Sequence, residues 1–186
     1  MAEFPVHTIE SAPEASKPIL EAATQKFGFT PNLLGVLAES PAALKGYMDV
    51  AGAFAGSTLD GTEQQVVLMT VSFENACTYC MAAHSTVSAM TGVSADVIES
   101  LRSGTPIADP KLNALATFTR TVMAGHGDVA DSVTDDFLAA GYTKEAAFDV
   151  LAGIAQKTIS NFMNHLAHTP KDDAFAAQAW TKPVSA

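Results

Sequence analysis

The chain has 186 residues, enough for one domain with its own core, and only 16% of them are charged against roughly 25% in an average soluble domain. The net charge is −10 and no basic cluster occurs, which argues against nucleic acids and anionic membrane surfaces as partners. No apolar stretch approaches the roughly 20 residues of a membrane span, and the first residues lack the pattern of a signal peptide, so we expect a cytoplasmic protein.

Apolar residues recur at helical spacing along most of the chain, and turn residues separate the segments. Ser40 and Pro41 mark the start of one helix, and Gly56 marks its end. The run Val66–Val71 is rich in β-branched residues and could be a buried strand, but its helix-compatible flanks favour a helix. The predicted helices cover residues 15–27, 32–39, 41–55, about 62–73, 77–90, 95–101, 111–124, 132–140 and 143–167.

No segment shows the sustained alternation of apolar and polar residues that indicates a strand. We therefore expect an all-α single domain over residues 1–186, with an extended N-terminal arm at 1–14 and a C-terminal tail at 174–186. Several of its helices offer more apolar surface than one small domain readily buries, and the charge fraction is low. Both features indicate a homo-oligomer. In such an assembly, Trp180 in the tail is expected to dock on a neighbouring subunit.

Both cysteines of the chain lie in the sequence CTYCMAAH, residues 77–84. On a helix, Cys77, Cys80 and His84 share one face, because separations of three, four and seven residues are near whole turns. A helix that starts near Cys77 favours a thiolate there through its unpaired N–H groups and its dipole. One thiolate can then attack a substrate while the other thiol resolves the product as a disulfide, and His84 can take or give the proton.

The same residues allow other interpretations. Buried cysteines are often inert packing. Cys77, Cys80 and His84 could instead hold a catalytic zinc ion, although no second CxxC or HxxxH pair supplies a structural site. The dithiol could also belong to a non-catalytic redox sensor or assembly protein whose disulfide alters its packing. Covalent haem attachment is excluded because Met81, not histidine, follows the second cysteine, and the chain lacks the βαβ units of a thioredoxin fold.

The segment ENACTYCMAAH, residues 74–84, resembles the active-site segment of the alkyl hydroperoxidase D-like branch of the carboxymuconolactone decarboxylase family. FGFTPNLLGVLAESPAALKGY upstream and NHLAHTP downstream resemble its peroxidase-related members, so the likeness covers about residues 25–173. It implies an all-helical fold, assembly into trimers or hexamers, and reduction of hydroperoxides by a dithiol reductant or reducing partner protein. It assigns the attack on the peroxide to Cys80 and formation of the disulfide to Cys77, and it implies no bound organic cofactor.

Two positions depart from the proton relay of that branch. The relay glutamate lies twelve residues before the first cysteine, where this chain has Gln65, an amide that cannot act as a base. The histidine that precedes the second cysteine is replaced by Tyr79. Glu74, one turn before Cys77, is therefore a candidate substitute base, and Glu63 is a more remote one. The decarboxylase branch of the family lacks the CxxC pair, so we do not expect that reaction here.

The sequence thus predicts a thiol peroxidase or disulfide oxidoreductase. Its expected catalytic residues are Cys80, Cys77, His84 and Glu74, with Gln65 and Tyr79 as relay or pocket residues.

Overall fold

The computed structural model describes residues 3–183, and this part of the chain consists of α-helices joined by short turns, without β-strands. The predicted all-α fold is therefore confirmed. Two short 3-10 helices, Glu14–Ser16 and Asp173–Gln178, flank the bundle. The helices are α1 (Lys17–Phe27), α2 (Asn32–Leu37), α3 (Pro41–Ala55), α4 (Gly61–Glu74), α5 (Thr78–Met90), α6 (Ala95–Ser103), α7 (Pro110–Ala124), α8 (Asp131–Ala139) and α9 (Lys144–Ala167).

Side-chain caps fix where the helices begin. At the start of α4 the Asp60 carboxylate accepts a hydrogen bond from the Glu63 backbone N–H, and the Glu63 carboxylate accepts one from the Asp60 N–H. Such a reciprocal pair satisfies two N–H groups that a helix start otherwise leaves unpaired. Helix α7 begins at Pro110, one residue earlier than predicted, because Asp109 accepts hydrogen bonds from two backbone N–H groups of the first turn.

Helix α4 lies at the centre of the bundle and packs against α5, α7 and α9. Its Val66 and Val67 are fully buried, and the β-branched run to which they belong is helical, as predicted. Helix α9 approaches α4 closely at Gly153, where a Cβ atom would lie 2.7 Å from Val67 Cγ1 and 2.9 Å from the Phe54 ring. This close approach brings the following turns of α9 towards the start of α5.

The C-terminal segment folds back onto its own chain. Trp180 is buried, its indole N–H donates to the Arg102 carbonyl oxygen at 2.8 Å, and its ring lies 5.8 Å from that of Phe73. The expected docking of Trp180 on a neighbouring subunit is therefore wrong, because the apolar ring is already covered within the chain. The outermost residues of the predicted arm and tail, 1–2 and 184–186, lie outside the described residues. Within residues 3–183, no helix combines the length and the apolar character needed to cross a membrane.

Candidate active site

The two cysteines stand where the chain turns from α4 into α5. Ala76 adopts a left-handed backbone conformation, with φ of 51°. The Cys77 N–H then donates to the Ser72 carbonyl oxygen at 2.9 Å, which closes the turn. Cys77 is the N-cap of α5, so Cys80 lies in the first helical turn, where backbone N–H groups favour negative charge. The chain thus leaves helical structure between the two helices, as expected from the predicted bounds, and the helix that carries Cys80 begins directly after this turn.

The two thiols are near each other and are held beneath α9. Each cysteine is only 1% exposed. The Asn164 side-chain amide donates to Cys80 Sγ at 3.3 Å and to Cys77 Sγ at 3.8 Å. Cys80 Sγ also lies 3.8 Å from Ser160 Oγ. A donor shared between two sulfurs suits a pair in which one sulfur carries negative charge.

His84 connects the thiol region to α4 and α9. Its Nδ1 lies 3.0 Å from Gln65 Oε1, and its Nε2 lies 3.0 Å from Lys157 Nζ. Since the Lys157 ammonium can only donate, Nε2 accepts, and Nδ1 carries the proton that is donated to Gln65. His84 is thus a neutral imidazole in one defined tautomer, with each ring nitrogen occupied.

Lys157 is the buried charge of this site. The residue is 1% exposed although it carries an ammonium group. Ion pairs within residues 3–183 do not join it to any carboxylate. Burial, the largest single effect, opposes its charge, but Cys80, Tyr47 and Cys77 together outweigh it, and the pKa of Lys157 is raised.

The two cysteines have opposite pKa shifts. Burial opposes ionisation of Cys80, but the hydrogen bond from Cys77 and the Lys157 ammonium outweigh it and hold the Cys80 pKa well below its usual range. The pKa of Cys77 is raised, first by its hydrogen bond to Cys80 and then by burial. Burial lowers the pKa of His84, and the Lys157 charge lowers it further. The arrangement therefore supports a Cys80 thiolate beside a Cys77 thiol.

Glu74 and Glu63 take part in other contacts. Glu74 Oε1 accepts a hydrogen bond from Arg120 Nε at 2.6 Å, in an ion pair between α4 and α7. Glu63 belongs to the α4 cap and pairs with Lys111 at 2.8 Å. Neither carboxylate is placed as a hydrogen-bond partner of the thiols or of His84, so the structure gives no support to either as the substitute base.

The contacts of Tyr79 stabilise the fold. Its side chain is buried, and its hydroxyl donates to the Asp172 carboxylate while accepting from the Leu33 N–H at 3.2 Å. Asp172 also accepts from the backbone N–H of Asn32, at the start of α2. Tyr79 thus fastens the first turn of α5 to α2 and to the C-terminal segment, rather than facing His84.

A pocket of about 400 Å³ opens beside Cys77. Its lining includes Cys77, Thr78 and Asn164, with His165 and His168 from the end of α9. Cys80 does not line the pocket, but Asn164, which does, contacts both sulfurs. The pocket is large enough for a small organic molecule.

The zinc interpretation does not fit this geometry. Both ring nitrogens of His84 are occupied, and the ammonium of Lys157 stands beside Nε2, where it would repel a metal cation. Within the described part of the chain, no group of three or more His, Cys, Asp or Glu side chains is arranged to hold a metal ion.

One protein-family model matches part of the chain. Residues 41–120 match the model of the carboxymuconolactone decarboxylase family. This part of the chain is therefore similar to that family. The matched segment runs from α3 into α7 and contains both cysteines, Gln65 and His84. No curated protein sequence matches the chain.

Solved structures share the fold of this chain. An uncharacterized peroxidase-related protein from Ralstonia eutropha JMP134, described as an alkylhydroperoxidase AhpD core, is 22% identical, with a TM-score of 0.81 over 93% of each chain. An uncharacterized peroxidase-related protein from Silicibacter sp. TM1040 is 16% identical, with a TM-score of 0.80 over 94% of this chain and 92% of that one. The debrominase Bmp8, as a cysteine-to-alanine variant in complex with 2,3,4-tribromopyrrole, is 18% identical, with a TM-score of 0.75 over 96% of each chain.

The residues that sequence reasoning missed all come from α9. Lys157, Ser160 and Asn164 lie one turn or two apart and face Cys80 together. They fall outside the segment that matches the carboxymuconolactone decarboxylase family model. The available signal was that Lys157 is the only charged residue in the run AGIAQKTISNF, because an uncompensated lysine is rarely placed in a core.

Proposed function

We propose that the protein is a thiol-dependent peroxidase that reduces hydroperoxides by cycling between a dithiol and a Cys77–Cys80 disulfide. The observation that carries this proposal is the asymmetric pair of sulfurs under Asn164. Cys80 has a depressed pKa and Cys77 a raised pKa, they lie side by side, and Cys77 lines a pocket. A redox-active dithiol needs this combination of a nucleophile and a resolving thiol.

The cycle divides into three balanced steps. The Cys80 thiolate attacks the terminal oxygen of the hydroperoxide, and the O–O bond breaks. This gives a Cys80 sulfenic acid and an alkoxide, which leaves as the alcohol after taking up a proton. Cys77 then displaces water from the sulfenic acid, and the disulfide forms. A dithiol reductant donates two electrons and two protons, which regenerates the reduced pair and leaves the reductant as its own disulfide.

The pocket leads to Cys77, the direct neighbour of Cys80, and is the route proposed for both reactants. The chain buries the cysteines almost completely, so a bulky protein thiol cannot reach Cys80 without rearrangement. A small hydroperoxide can enter beside Thr78 and Asn164, and a small dithiol can follow the same route after oxidation. We therefore propose small organic hydroperoxides as substrates and a small dithiol, or an extended dithiol arm of a partner protein, as the reductant.

A second candidate reaction follows from the likeness to the debrominase Bmp8. The dithiol-to-disulfide couple supplies two electrons, which is also the number needed to replace a carbon–bromine bond by carbon–hydrogen with release of bromide. A bromopyrrole would occupy the same pocket and leave the same disulfide. Release of bromide from tribromopyrrole, measured beside consumption of cumene hydroperoxide, decides between the two electron acceptors.

Intact-mass spectrometry tests the assignment of the two cysteines, because the chain has no other cysteine. With one equivalent of cumene hydroperoxide, the wild type should lose two hydrogens as the disulfide forms. Cys77→Ser should gain one oxygen, because its Cys80 sulfenic acid cannot be resolved, and Cys80→Ser should stay unchanged. Oxidation of Cys80→Ser with an inert Cys77→Ser would reverse the two roles, and an unchanged wild type would refute the dithiol mechanism.

A further inference from the structure

Lys157 lies within reach of the Cys80 sulfur and pairs with no carboxylate among residues 3–183, which is uncommon for a buried lysine. Its Nζ lies 3.0 Å from His84 Nε2, and one turn further along α9 the Ser160 hydroxyl contacts Cys80. The titratable groups that face Lys157 are Cys77 and Cys80, His84 and, from α3, the buried Tyr47. Among these, only Cys80 is placed to carry a full negative charge at neutral pH.

A buried ammonium is costly without an anion, since desolvation disfavours its charged form. In the reduced protein the Cys80 thiolate supplies that anion. In the disulfide the anion is gone, while the surroundings of Lys157 on α3, α5 and α9 remain neutral. The charge on Lys157 is therefore compensated in only one of the two redox states.

We propose that Lys157 carries a proton for the Cys77–Cys80 redox couple: it is an ammonium beside the Cys80 thiolate in the reduced protein, and it becomes a neutral amine when the disulfide forms. The site then has zero net charge in both states. In the peroxidase cycle, to which this step belongs if the proposed function holds, the proton that Lys157 gives up is the one that converts the leaving alkoxide to the alcohol. When a dithiol reduces the disulfide, one of its protons goes to Cys77 and the other returns to Lys157.

His84 has a corresponding supporting role. Its Nε2 accepts from Lys157, and its Nδ1 proton is donated to Gln65, so the imidazole fixes where the lysine amine lies in both states. His84 is itself held neutral by burial and by the lysine charge, and it need not change its own charge during the cycle. This explains how the site can lack the relay glutamate and still move a proton.

Thiolate absorbance at 240 nm tests the ion pair without any turnover of hydroperoxide. The reduced wild type should show one thiolate at neutral pH that Cys80→Ser lacks. In Lys157→Met the thiolate titration should move upward by about one pKa unit or more, corresponding to a tenfold or greater loss of ionisation. Lys144→Met is the matched control, because it removes an exposed lysine from the first turn of the same helix and should leave the titration unchanged. Equal titrations in Lys157→Met and the wild type would overturn the proposal.

The equilibrium with glutathione supplies a second readout. Because the ion pair stabilises the reduced state, Lys157→Met should shift the thiol–disulfide equilibrium at least tenfold towards the disulfide. That change corresponds to a reduction potential about 30 mV more negative. An unchanged or less negative potential in Lys157→Met contradicts the ion pair.

Proton counting on the wild type separates a proton carrier from a fixed counter-ion, and it needs no variant that must fold. The azo oxidant diamide takes up two electrons and two protons as it forms the disulfide. If Cys77 and Lys157 each give one proton, a weakly buffered solution at pH 7 shows no proton uptake. If Lys157 stays charged, each disulfide consumes one proton from solution, and the proposal is overturned. This count is independent of hydroperoxide turnover, so it can succeed or fail whether or not the protein proves to be a peroxidase.

Discussion

Replacing Gln65 by glutamate should increase the peroxidase rate. Gln65 Oε1 accepts the Nδ1 proton of His84 at 3.0 Å and also lies 3.4 Å from Ser88 Oγ, so a carboxylate would occupy a site already lined with donors. Hydrogen bonds to a charged partner contribute about 1.5–3 kcal/mol, against about 1 for neutral ones. The gain of about 1.4 kcal/mol, if it is realised in the transition state, corresponds to a tenfold higher kcat/KM.

The physical reason is that a carboxylate stabilises positive charge on the imidazole. The pKa of His84 is held well below its usual range by burial and then by Lys157, so the wild-type ring is a poor proton acceptor. A carboxylate at position 65 raises that pKa and lets His84 pass the proton of Lys157 on to the leaving alkoxide. A positioned base of this kind typically contributes about 10²–10⁴-fold, so a tenfold gain is a conservative expectation for a buried site with a competing ammonium.

The assay measures kcat/KM for one hydroperoxide and one dithiol between pH 5 and 9. Gln25→Glu is the matched control, since it makes the same chemical change at an exposed position of α1. A folded Gln65→Glu protein with an unchanged or lower rate across this range would refute the reasoning. It would show that the new charge competes with the Cys80 thiolate for Lys157 instead of acting through His84.

Three other predictions concern the remaining contacts. Glu74→Gln should keep the peroxidase rate within about twofold in the same assay, because Glu74 pairs with Arg120 and not with the thiols; a tenfold loss would restore it as a base. Gly153→Ala should lower the free energy of unfolding by about 1–3 kcal/mol in urea titrations, because its Cβ would clash with Val67 and Phe54. The control Gly46→Ala, which has open space around the new Cβ, should be neutral or stabilising. Light scattering should show a homo-oligomer at micromolar concentration. Phe162→Glu should weaken this assembly, because exposed apolar side chains form one stripe on α9. A monomeric wild type would contradict the prediction.

The stripe that motivates the oligomer is defined by its spacing. Phe148, Leu151, Phe162 and Leu166 are exposed by 72%, 43%, 58% and 67%, respectively, and their separations of 3, 11 and 4 residues keep them on one side of the helix. The polar residues Lys157, Ser160 and Asn164 face the opposite direction, towards the thiols. One face of α9 therefore lies against the thiols, and the opposite face exposes the apolar side chains on which the prediction of an oligomer rests.

Much of the fold was predictable because its signals are local. Proline at the first helical position, capping carboxylates and glycine at helix ends depend on neighbours within about four residues. The start of the cysteine-bearing helix was predictable for the same reason. The packing of Trp180 was not, since its partner Arg102 is 78 positions away in the chain.

The candidate site was predictable only on the α4–α5 side. Cys77, Cys80 and His84 repeat at helical spacing, and the resemblance brought Gln65 into the same group. Glu74 pairs with Arg120 across the bundle, a contact that spacing along the chain does not predict, so its role as a base stays a prediction.

The α9 contribution could not be derived from spacing at all. Lys157 meets His84 across 73 positions of sequence, and Asn164 meets Cys80 across 84. Such contacts depend on how α9 crosses α4 at Gly153, which is a property of the packed bundle. A lysine that is the only charged residue of its run indicates a special role, but only the structure identifies its partner.

Sustained turnover is the most direct test of the central claim that Cys77 and Cys80 form a catalytic redox pair. The measurement is the consumption of cumene hydroperoxide by a small amount of reduced protein with an excess of dihydrolipoamide, followed over many equivalents per protein chain. The account predicts a steady rate that is abolished in Cys80→Ser and greatly reduced in Cys77→Ser. Consumption that stops after one equivalent, with the protein left as a disulfide that the dithiol does not reopen, would contradict it and indicate a redox sensor.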